Sequence, residues 1–290
     1  MYHKSKGYRI FYALNIGVLI TVSILCVLPL LHVLAISFSS ASAAEANLVT
    51  LWPVDFNIES YKQTLANKQF LDAFLTSVVR VAAVLILSLI ITIFTAYPLS
   101  KFYLTGGKWI AWFFVFTMLF NGGLIPMYVL IMKLGLLNNI WSLILPHLVN
   151  VFNIILMLNF FRGIPKELEE AAVIDGAGHW TILTKIYIPI SMPSIATISL
   201  FIAVMQWNQW FDGLIFLTDS SKWPLSTLLQ NLLIVPDVTN NTLDAETLAV
   251  MSEKTIRSAQ IFIGALPILI VYPFLQRYFV KGIVLGSVKE

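Results

Sequence analysis

Six long apolar stretches alternate with shorter polar segments along the chain. A helix needs about 20 predominantly apolar residues to cross the hydrocarbon core of a bilayer, and each stretch meets that length. The stretches cover approximately residues 10–38, 73–99, 109–132, 140–161, 186–217 and 258–280. The pattern predicts an all-α integral membrane protein with six transmembrane helices, in a single transmembrane domain over residues 1–290.

The composition agrees with this prediction. Of the 290 residues, 58% are hydrophobic and 11% are charged, and the mean hydropathy is +0.84. Soluble domains carry about 25% charged residues, so this chain has too little polar surface to be one of them. The net charge of +3 gives no indication of a nucleic-acid partner. The four histidines lack ligand spacing, so we expect no metal site. The one cysteine, Cys26, leaves no possibility of a disulfide within the chain.

The first apolar stretch is interpreted as an uncleaved anchor. Ala41-Ser42-Ala43 follows it like a cleavage site, but the apolar region of a signal peptide has only about 7–15 residues. Lysine and arginine are concentrated in the short segments that lie inside if the N-terminus is inside. These residues are Lys4, Lys6, Arg9, Lys101, Lys108, Arg162, Lys166, Lys185, Arg277, Lys281 and Lys289. Both termini are therefore predicted to be cytoplasmic.

A polar segment between the fourth and fifth stretches has the features of a short helix. Pro165 suits a first helical turn, glutamates follow it at the positive end of the helix dipole, and Gly176 suits the position after the last turn. We predict a cytoplasmic helix over about residues 165–176. One face of it would present Leu168, Ala171, Ala172 and Asp175. The alternative, an amphipathic helix at the membrane surface, would carry bulky apolar residues and basic flanks, so we favour docking into a groove of another protein.

The same segment carries the signature of a known family. The permease subunits of ABC importers share the pattern Glu-Ala-Ala, three residues, Gly, nine residues, Ile, one residue, Leu-Pro. The matching residues here, with isoleucine for leucine, are Glu170, Ala171, Ala172, Gly176, Ile186, Ile188 and Pro189. The chain thus resembles these permeases, and together with the stretches described next the resemblance covers nearly its whole length.

Other stretches resemble one branch of that family. Gly163-Ile-Pro-Lys-Glu-Leu168 and Ile174-Asp-Gly-Ala177 look like the carbohydrate importers, and the six-span layout is similar to the maltose-type G subunit. Asn121-Gly-Gly-Leu-Ile-Pro126, Leu134-Gly-Leu136 and Tyr278-Phe-Val-Lys-Gly282 resemble the sub-branch that imports oligosaccharides released from polysaccharides.

The resemblance implies a type I ABC importer permease (MetI-like) fold and a division of labour between chains. In this family the short helix is a coupling helix, seated in a cytoplasmic ATPase subunit. The implied coupling residues are Glu170, Ala171, Ala172, Asp175 and Gly176. The implied partners are a second homologous permease, two ATPase subunits that bind ATP and Mg, and an extracellular solute-binding protein that delivers an oligosaccharide. The implied location is the bacterial plasma (inner) membrane, as a multi-pass protein in contact with lipid.

The chain itself is expected to be neither an enzyme nor a cofactor-binding protein. It contains no Gly-x-x-x-x-Gly-Lys-Ser/Thr phosphate-binding loop. ATP hydrolysis is therefore expected on a separate subunit.

Polar and aromatic residues within the spans are candidates for a sugar pathway. A sugar needs polar groups in place of water and aromatic faces on which its rings can stack. The candidates are Gln206, Trp207, Asn208 and Trp210 in the fifth span and Asn150 and Asn153 in the fourth. The alternative is that the tryptophans lie at the membrane interface and the amides join helices.

Three further features lead to expectations. Pro189 and Pro193 each remove a backbone hydrogen bond, so we predict a kink there and hypothesise a hinge that responds to the coupling helix. Arg80, about two turns into the second span, is a candidate functional residue because ionisable groups are costly there, but we favour the alternative that it extends to the outer interface. The outer segment 218–257 is expected to be a folded loop, which either reaches into the binding protein or caps the outer gate.

Two alternative functions stay open. An ABC importer permease for a solute other than a sugar would carry the same motif. An ion-coupled secondary transporter would also have kinked helices, but typically with an inverted repeat and buried ionisable residues. This chain has no clear repeat, and Asp212 is the notable acid within a span.

Overall fold

All regular structure is helical in the part of the chain that this computed structural model describes, residues 6–120, 122–234 and 252–287. In chain order the α-helices are α1 (Lys6–Ser37), α2 (Ala41–Glu45), α3 (Glu59–Ala66), α4 (Lys68–Ser100), α5 (Gly107–Leu119), α6 (Leu124–Lys133), α7 (Trp141–Ile144), α8 (Val151–Arg162), α9 (Lys166–Ile174), α10 (His179–Ile182), α11 (Ile188–Ile190), α12 (Met192–Asn208), α13 (Phe211–Phe216), α14 (Leu225–Ile234) and α15 (Glu253–Ser287). A π-helical turn, Leu183–Tyr187, joins α10 to α11.

Three helices in these described ranges are long and apolar enough to cross a membrane, and there are up to six spans if each of three bent pairs counts as one. The long helices are α1, α4 and α15. Helices α4 and α15 extend beyond the predicted spans 73–99 and 258–280 at both ends. Helix α1 begins before the predicted span 10–38 and ends one residue before the end of that span. The short helix α9 lies within the predicted 165–176.

The third and fourth predicted spans are broken rather than continuous. The third is divided into α5 and α6, and Asn121, between them, lies outside the described residues. In the fourth, the helix axis bends by 42° between His147 and Val151. Pro146 has no N–H to donate there, and Asn150 caps α8 by accepting a 3.1 Å hydrogen bond from the backbone N–H of Asn153.

The fifth predicted span, 186–217, is broken twice. The axes of His179–Ile190 and Met192–Asn208 differ by 76°. This bend lies at Ser191, between two prolines that cannot donate backbone hydrogen bonds. A second break follows Asn208, and α13 begins at Phe211. A kink is therefore present beside the prolines, but the expectation of one continuous span to residue 217 is wrong.

The chain forms two compact units. One comprises the described residues of 1–70 and 231–266. In it, apolar residues of α1, α2 and the following turn pack together, and Lys254 Nζ donates to the Ala44 carbonyl at 3.0 Å and to Asn47 Oδ1 at 2.6 Å. The segment after α1 is therefore folded. Of the predicted outer loop 218–257, residues 235–251 lie outside the described residues.

The second unit comprises the described residues of 71–230 and 267–290. Its largest apolar cluster joins α4, α8, α10 and α12, with Ala96, Met157, Phe161, Ile182 and Ile198 among its buried members. This packing holds the beginning and end of the segment that contains α9.

Large apolar side chains face outward from both units. Trp109 is 82% exposed and Phe11 is 66% exposed. A water-soluble protein rarely presents contiguous apolar surface, whereas lipid covers it without cost. The exposed side chains and the long apolar helices together indicate a multi-pass membrane protein.

Candidate functional site

The helix α9 ends in a glycine-dependent cap. Gly176 has φ +77°, a left-handed conformation that favours glycine. Its N–H donates to the Val173 carbonyl at 3.0 Å, and the N–H of Ala177 donates to the Ala172 carbonyl at 2.9 Å. These two bonds form a Schellman motif, which satisfies carbonyls that the end of a helix leaves free. Gly176 thus sets the direction in which the chain leaves α9.

The side of α9 that faces away from its own unit is exposed and carries both acidic and apolar side chains. Glu170, Ala171 and Asp175 are exposed, and Ile174 is 86% exposed. Ala172 is the exception among the predicted coupling residues, because it packs against the core of its own unit. The exposed surface is therefore narrower than the face predicted from the sequence.

The inner side of α9 is fixed by Glu169. Its Oε2 accepts hydrogen bonds of 2.7 Å from Lys101 Nζ and 2.7 Å from the Tyr187 hydroxyl. Burial raises the pKa of Glu169, but the hydrogen bonds from Lys101 and Tyr187 outweigh burial, so the net pKa is below its usual value. Burial lowers the pKa of Lys101, and the bond to Glu169 opposes this change.

A cavity of about 710 Å³ lies beside α9. Phe102 and Tyr103, from the turn after α4, line one part of it, and Glu170 and Ile174 line another. The exposed side of α9 therefore borders a concave surface rather than a flat one.

A buried ion cluster lies elsewhere in the same unit. Arg80 on α4 is completely buried, and its guanidinium contacts both carboxylate oxygens of Asp212 on α13. His147 Nε2 lies 3.0 Å from Asp212 Oδ2. The expectation that Arg80 extends to the outer interface is therefore wrong, because a partner on a distant part of the chain keeps it inside.

At the second break in the fifth predicted span, side chains of the ion cluster and of α14 donate hydrogen bonds to the free backbone carbonyls. Arg80 donates to the carbonyl of Gln209 at 3.1 Å, and the Ser226 hydroxyl donates to the same oxygen at 2.7 Å. The Thr227 hydroxyl donates to the Trp210 carbonyl at 2.8 Å. Non-helical backbone at membrane depth is tolerated only where protein or water satisfies it, and these contacts do so.

The predicted pathway residues of the fifth span are not brought to one surface. Gln206 is buried and accepts a 3.2 Å hydrogen bond from Arg80 Nε. Trp207 packs edge-to-face on Phe74. Asn208 is exposed, with its amide donating to Val204 within the same helix, and Trp210 is half-buried.

The predicted pair in the fourth span lies at the start of α8. Asn150 caps α8, and Asn153 is buried with 2% exposure. Among the described residues, no group of three His, Cys, Asp or Glu side chains is placed to hold a metal ion.

Two clusters were missed from the sequence, although signals for both were present. An arginine and an aspartate within separate spans are expected to pair, because an isolated charge is costly in lipid. The Lys101–Glu169 pair gave a weaker signal, since both residues flank spans and charged residues are ordinary there. Neither pair can be assigned by spacing along the chain.

Comparisons with known proteins identify the family. Protein LplC of Bacillus subtilis is 39% identical over 287 residues, covering 99% of this chain and 97% of LplC. The polygalacturonan/rhamnogalacturonan transport system permease protein YtcP of Bacillus subtilis is 39% identical over 282 residues, covering 97% of this chain and 99% of YtcP. The chain belongs to the permease proteins of ABC transporters.

The fold of this permease agrees with solved structures. It superposes with TM-score 0.88 and 34% identity on a bacterial ABC transporter involved in the import of the acidic polysaccharide alginate, covering 96% of the permease and 100% of that chain. A second alginate ABC transporter chain, at TM-score 0.59 and 18% identity, shares the fold. A comparison with models of protein families found no match. The family resemblance that was predicted from the Glu-Ala-Ala motif is confirmed.

Proposed function

We propose that this permease forms half of the translocation pathway of an ATP-driven importer for oligosaccharides. An extracellular binding protein would deliver the sugar, and two cytoplasmic ATPase subunits would drive transport through α9. The observation that carries the proposal is the full-length similarity to YtcP, whose name specifies polygalacturonan and rhamnogalacturonan transport. The similarity to an alginate importer supports the same substrate class.

The substrate class can be narrowed by chemistry. Polygalacturonan is a polymer of uronic acid, and alginate is described as an acidic polysaccharide. We therefore propose oligosaccharides that contain uronate residues.

The proposed arrangement is a single transmembrane domain with six spans and both termini in the cytoplasm of a bacterium. Three long helices and three bent pairs support that count. ATP and Mg would be bound by the ATPase subunits, and a second homologous permease would complete the pathway.

The coupling role is proposed for the exposed part of α9. Glu170, Ala171 and Asp175 would contact the ATPase directly. Ala172 and Gly176 would act by fixing the position and exit of the helix, since one packs on the core and the other forms the cap.

Within the spans, the proposed sugar contacts are best supported at Trp207. Its side chain borders an apolar groove of about 440 Å³, between α4, α12 and Pro267 of α15. An indole face beside an open groove suits stacking on a sugar ring. Asn208, Trp210, Asn150 and Asn153 stay candidates, while Gln206 would support the pathway through Arg80.

Pro189 and Pro193 are proposed as the hinge at the 76° bend. Replacing both with alanine restores two backbone donors and should straighten the bend. We expect sugar uptake by reconstituted complexes to fall several-fold while the complex still assembles. Unaltered uptake would count against the hinge.

The function is tested first by purification and then by calorimetry. A tagged permease, extracted in mild detergent, should bring a second permease and an ATPase with it. The cognate binding protein should then bind oligogalacturonides or alginate oligosaccharides in preference to neutral maltooligosaccharides. Recovery of the permease alone would contradict the proposal.

One alternative has a specific observation in its favour. The osmoprotective compounds uptake permease protein GgtD of Synechocystis is 30% identical over 81% of this chain. Osmoprotective solutes, both sugar-like and not, therefore belong in the calorimetry panel, and selective binding of one that is not a sugar would favour the alternative.

A further inference from the structure

On the side of α9 that packs on the permease, the Glu169 carboxylate connects the helix to two other segments of the chain. Glu169 accepts from Lys101, the residue after α4, and from Tyr187, at the end of the turn that leads into α11. The chain itself connects α9 to α8 and α10. The contact with Lys101 adds a direct connection to α4 that the chain path does not provide.

The environment of Lys101 makes this connection stiff. Its ammonium lies 4.2 Å from the centre of the Tyr97 ring and 4.0 Å from that of Tyr187. The side chain is 6% exposed, and that of Glu169 is 17% exposed. A pair that is largely shielded from water and held between two rings has fewer alternative geometries than a surface ion pair.

Neighbouring contacts join the same helix ends. The Tyr97 hydroxyl donates to the His179 carbonyl at 3.3 Å. Arg162, the last residue of α8, donates to the Leu99 carbonyl at 3.2 Å. The ends of α4 and α8 and the beginning of α10 therefore meet in one connected group of residues near Glu169.

Helix α4 extends from this group to the buried ion cluster. Arg80 lies 21 positions before Lys101, which corresponds to about 30 Å along a helix. At that point Arg80 contacts Asp212 and the break after α12. Each end of this helical segment is thus held by an ion pair, fully buried at Arg80 and partly buried at Lys101.

We propose that Glu169 and Lys101 are positioning residues that give the coupling helix a second connection, through α4, by which its movement reaches the spans. Displacement of α9 would be passed to α4 through the ion pair, in addition to reaching α12 through the backbone and the bend at Ser191. The proposal rests on the proposed coupling role of α9. It concerns the side of the helix that faces away from any docked ATPase.

The test uses the complete complex in proteoliposomes, with ATP hydrolysed per sugar imported as the readout. Glu169→Gln and Lys101→Met should each raise this ratio about fivefold, because part of the movement is no longer transmitted. The double variant should raise the ratio no further than the single variants do, since both substitutions remove the same interaction. Lys101→Arg keeps the charge over the rings and should retain most of the wild-type ratio.

The matched control is Glu167→Gln. Glu167 is an exposed glutamate on the same helix, so the same chemical change there should leave the ratio unchanged. The amount of ATPase that copurifies with each variant separates docking from transmission, and we expect it to equal the wild-type amount.

The outcomes are distinguishable. Three results would each overturn the proposal: unchanged ratios in both single variants, a ratio in the double variant well above that of either single variant, or loss of the ATPase from the Glu169→Gln complex. Wild-type complexes that hydrolyse ATP without sugar import, or that lack an ATPase, would overturn the proposed function itself.

Discussion

Replacing Arg80 with methionine is expected to destabilise the folded permease by about 3–5 kcal/mol. Arg80 is fully buried, and its guanidinium donates to Asp212, Gln206 and the Gln209 carbonyl. Methionine fills a similar volume, but the buried carboxylate of Asp212 then keeps His147 as its one side-chain partner among the described residues. The loss should appear as a lower midpoint of thermal unfolding in detergent.

Two controls separate burial from charge. Arg257 pairs with Glu253 across one helical turn, and the Glu253 side chain is 56% exposed, so Arg257→Met should cost less than about 1 kcal/mol. Arg80→Met/Asp212→Asn leaves no buried charge and should recover most of the lost stability. A wild-type midpoint for Arg80→Met would show that the ion cluster contributes nothing to the fold.

Replacing Gly176 with valine is expected to uncouple sugar import from ATP hydrolysis. The left-handed backbone at φ +77° costs a residue with a Cβ about 1–2 kcal/mol, a factor of roughly 5–30 in the local equilibrium. The space around this position is open, so the effect would come from the backbone and not from a clash. We expect uptake to fall by about that factor while ATP hydrolysis continues.

Gly178→Val is the matched control for the backbone effect. Gly178 also has open space around it, but its φ of −76° suits any residue. Equal effects at the two glycines would contradict the role of the cap.

Glu170→Ala tests the exposed side of the same helix and should give the same uncoupling, with the complex still inserted in the membrane. Normal sugar-stimulated hydrolysis in both Gly176→Val and Glu170→Ala would argue strongly against coupling through α9.

Much of the fold could be predicted because it depends on local sequence. Apolar length located the long helices α1, α4 and α15. The glycine after α9 marked the end of that helix, since its preference for left-handed backbone needs no knowledge of the partner. The kink near Pro189 followed from the missing donors. In each case the physical cause lies within a few residues of its effect.

The remaining features depend on contacts between distant residues. Asp212 follows Arg80 by 132 positions, so their pairing could not be read from spacing, and Arg80 was placed at the interface instead. The break after Asn208 was missed because its carbonyls are satisfied by residues of α4 and α14. Sequence-based helix patterns contain no information about such compensation.

Of the two sides of α9, the sequence predicted the exposed one, which would meet the ATPase, and not the one that packs on the permease itself. The predicted docking face included the exposed Ala171 and Asp175, but also Ala172, which packs on the core. Nothing in the motif indicated that Glu169 faces inward toward Lys101. Neighbouring glutamates on a short helix look alike in sequence, and only the packing of α4 against α9 distinguishes their roles.

ATP-driven import by the purified complex is the most direct test of the proposed function. Proteoliposomes would contain ATP inside and binding protein with labelled oligogalacturonide outside, and ionophores would collapse all ion gradients. Uptake should persist under these conditions and stop when a non-hydrolysable ATP analogue replaces ATP. Uptake that requires an ion gradient and is indifferent to ATP would contradict the assignment of this permease to an ATP-driven importer.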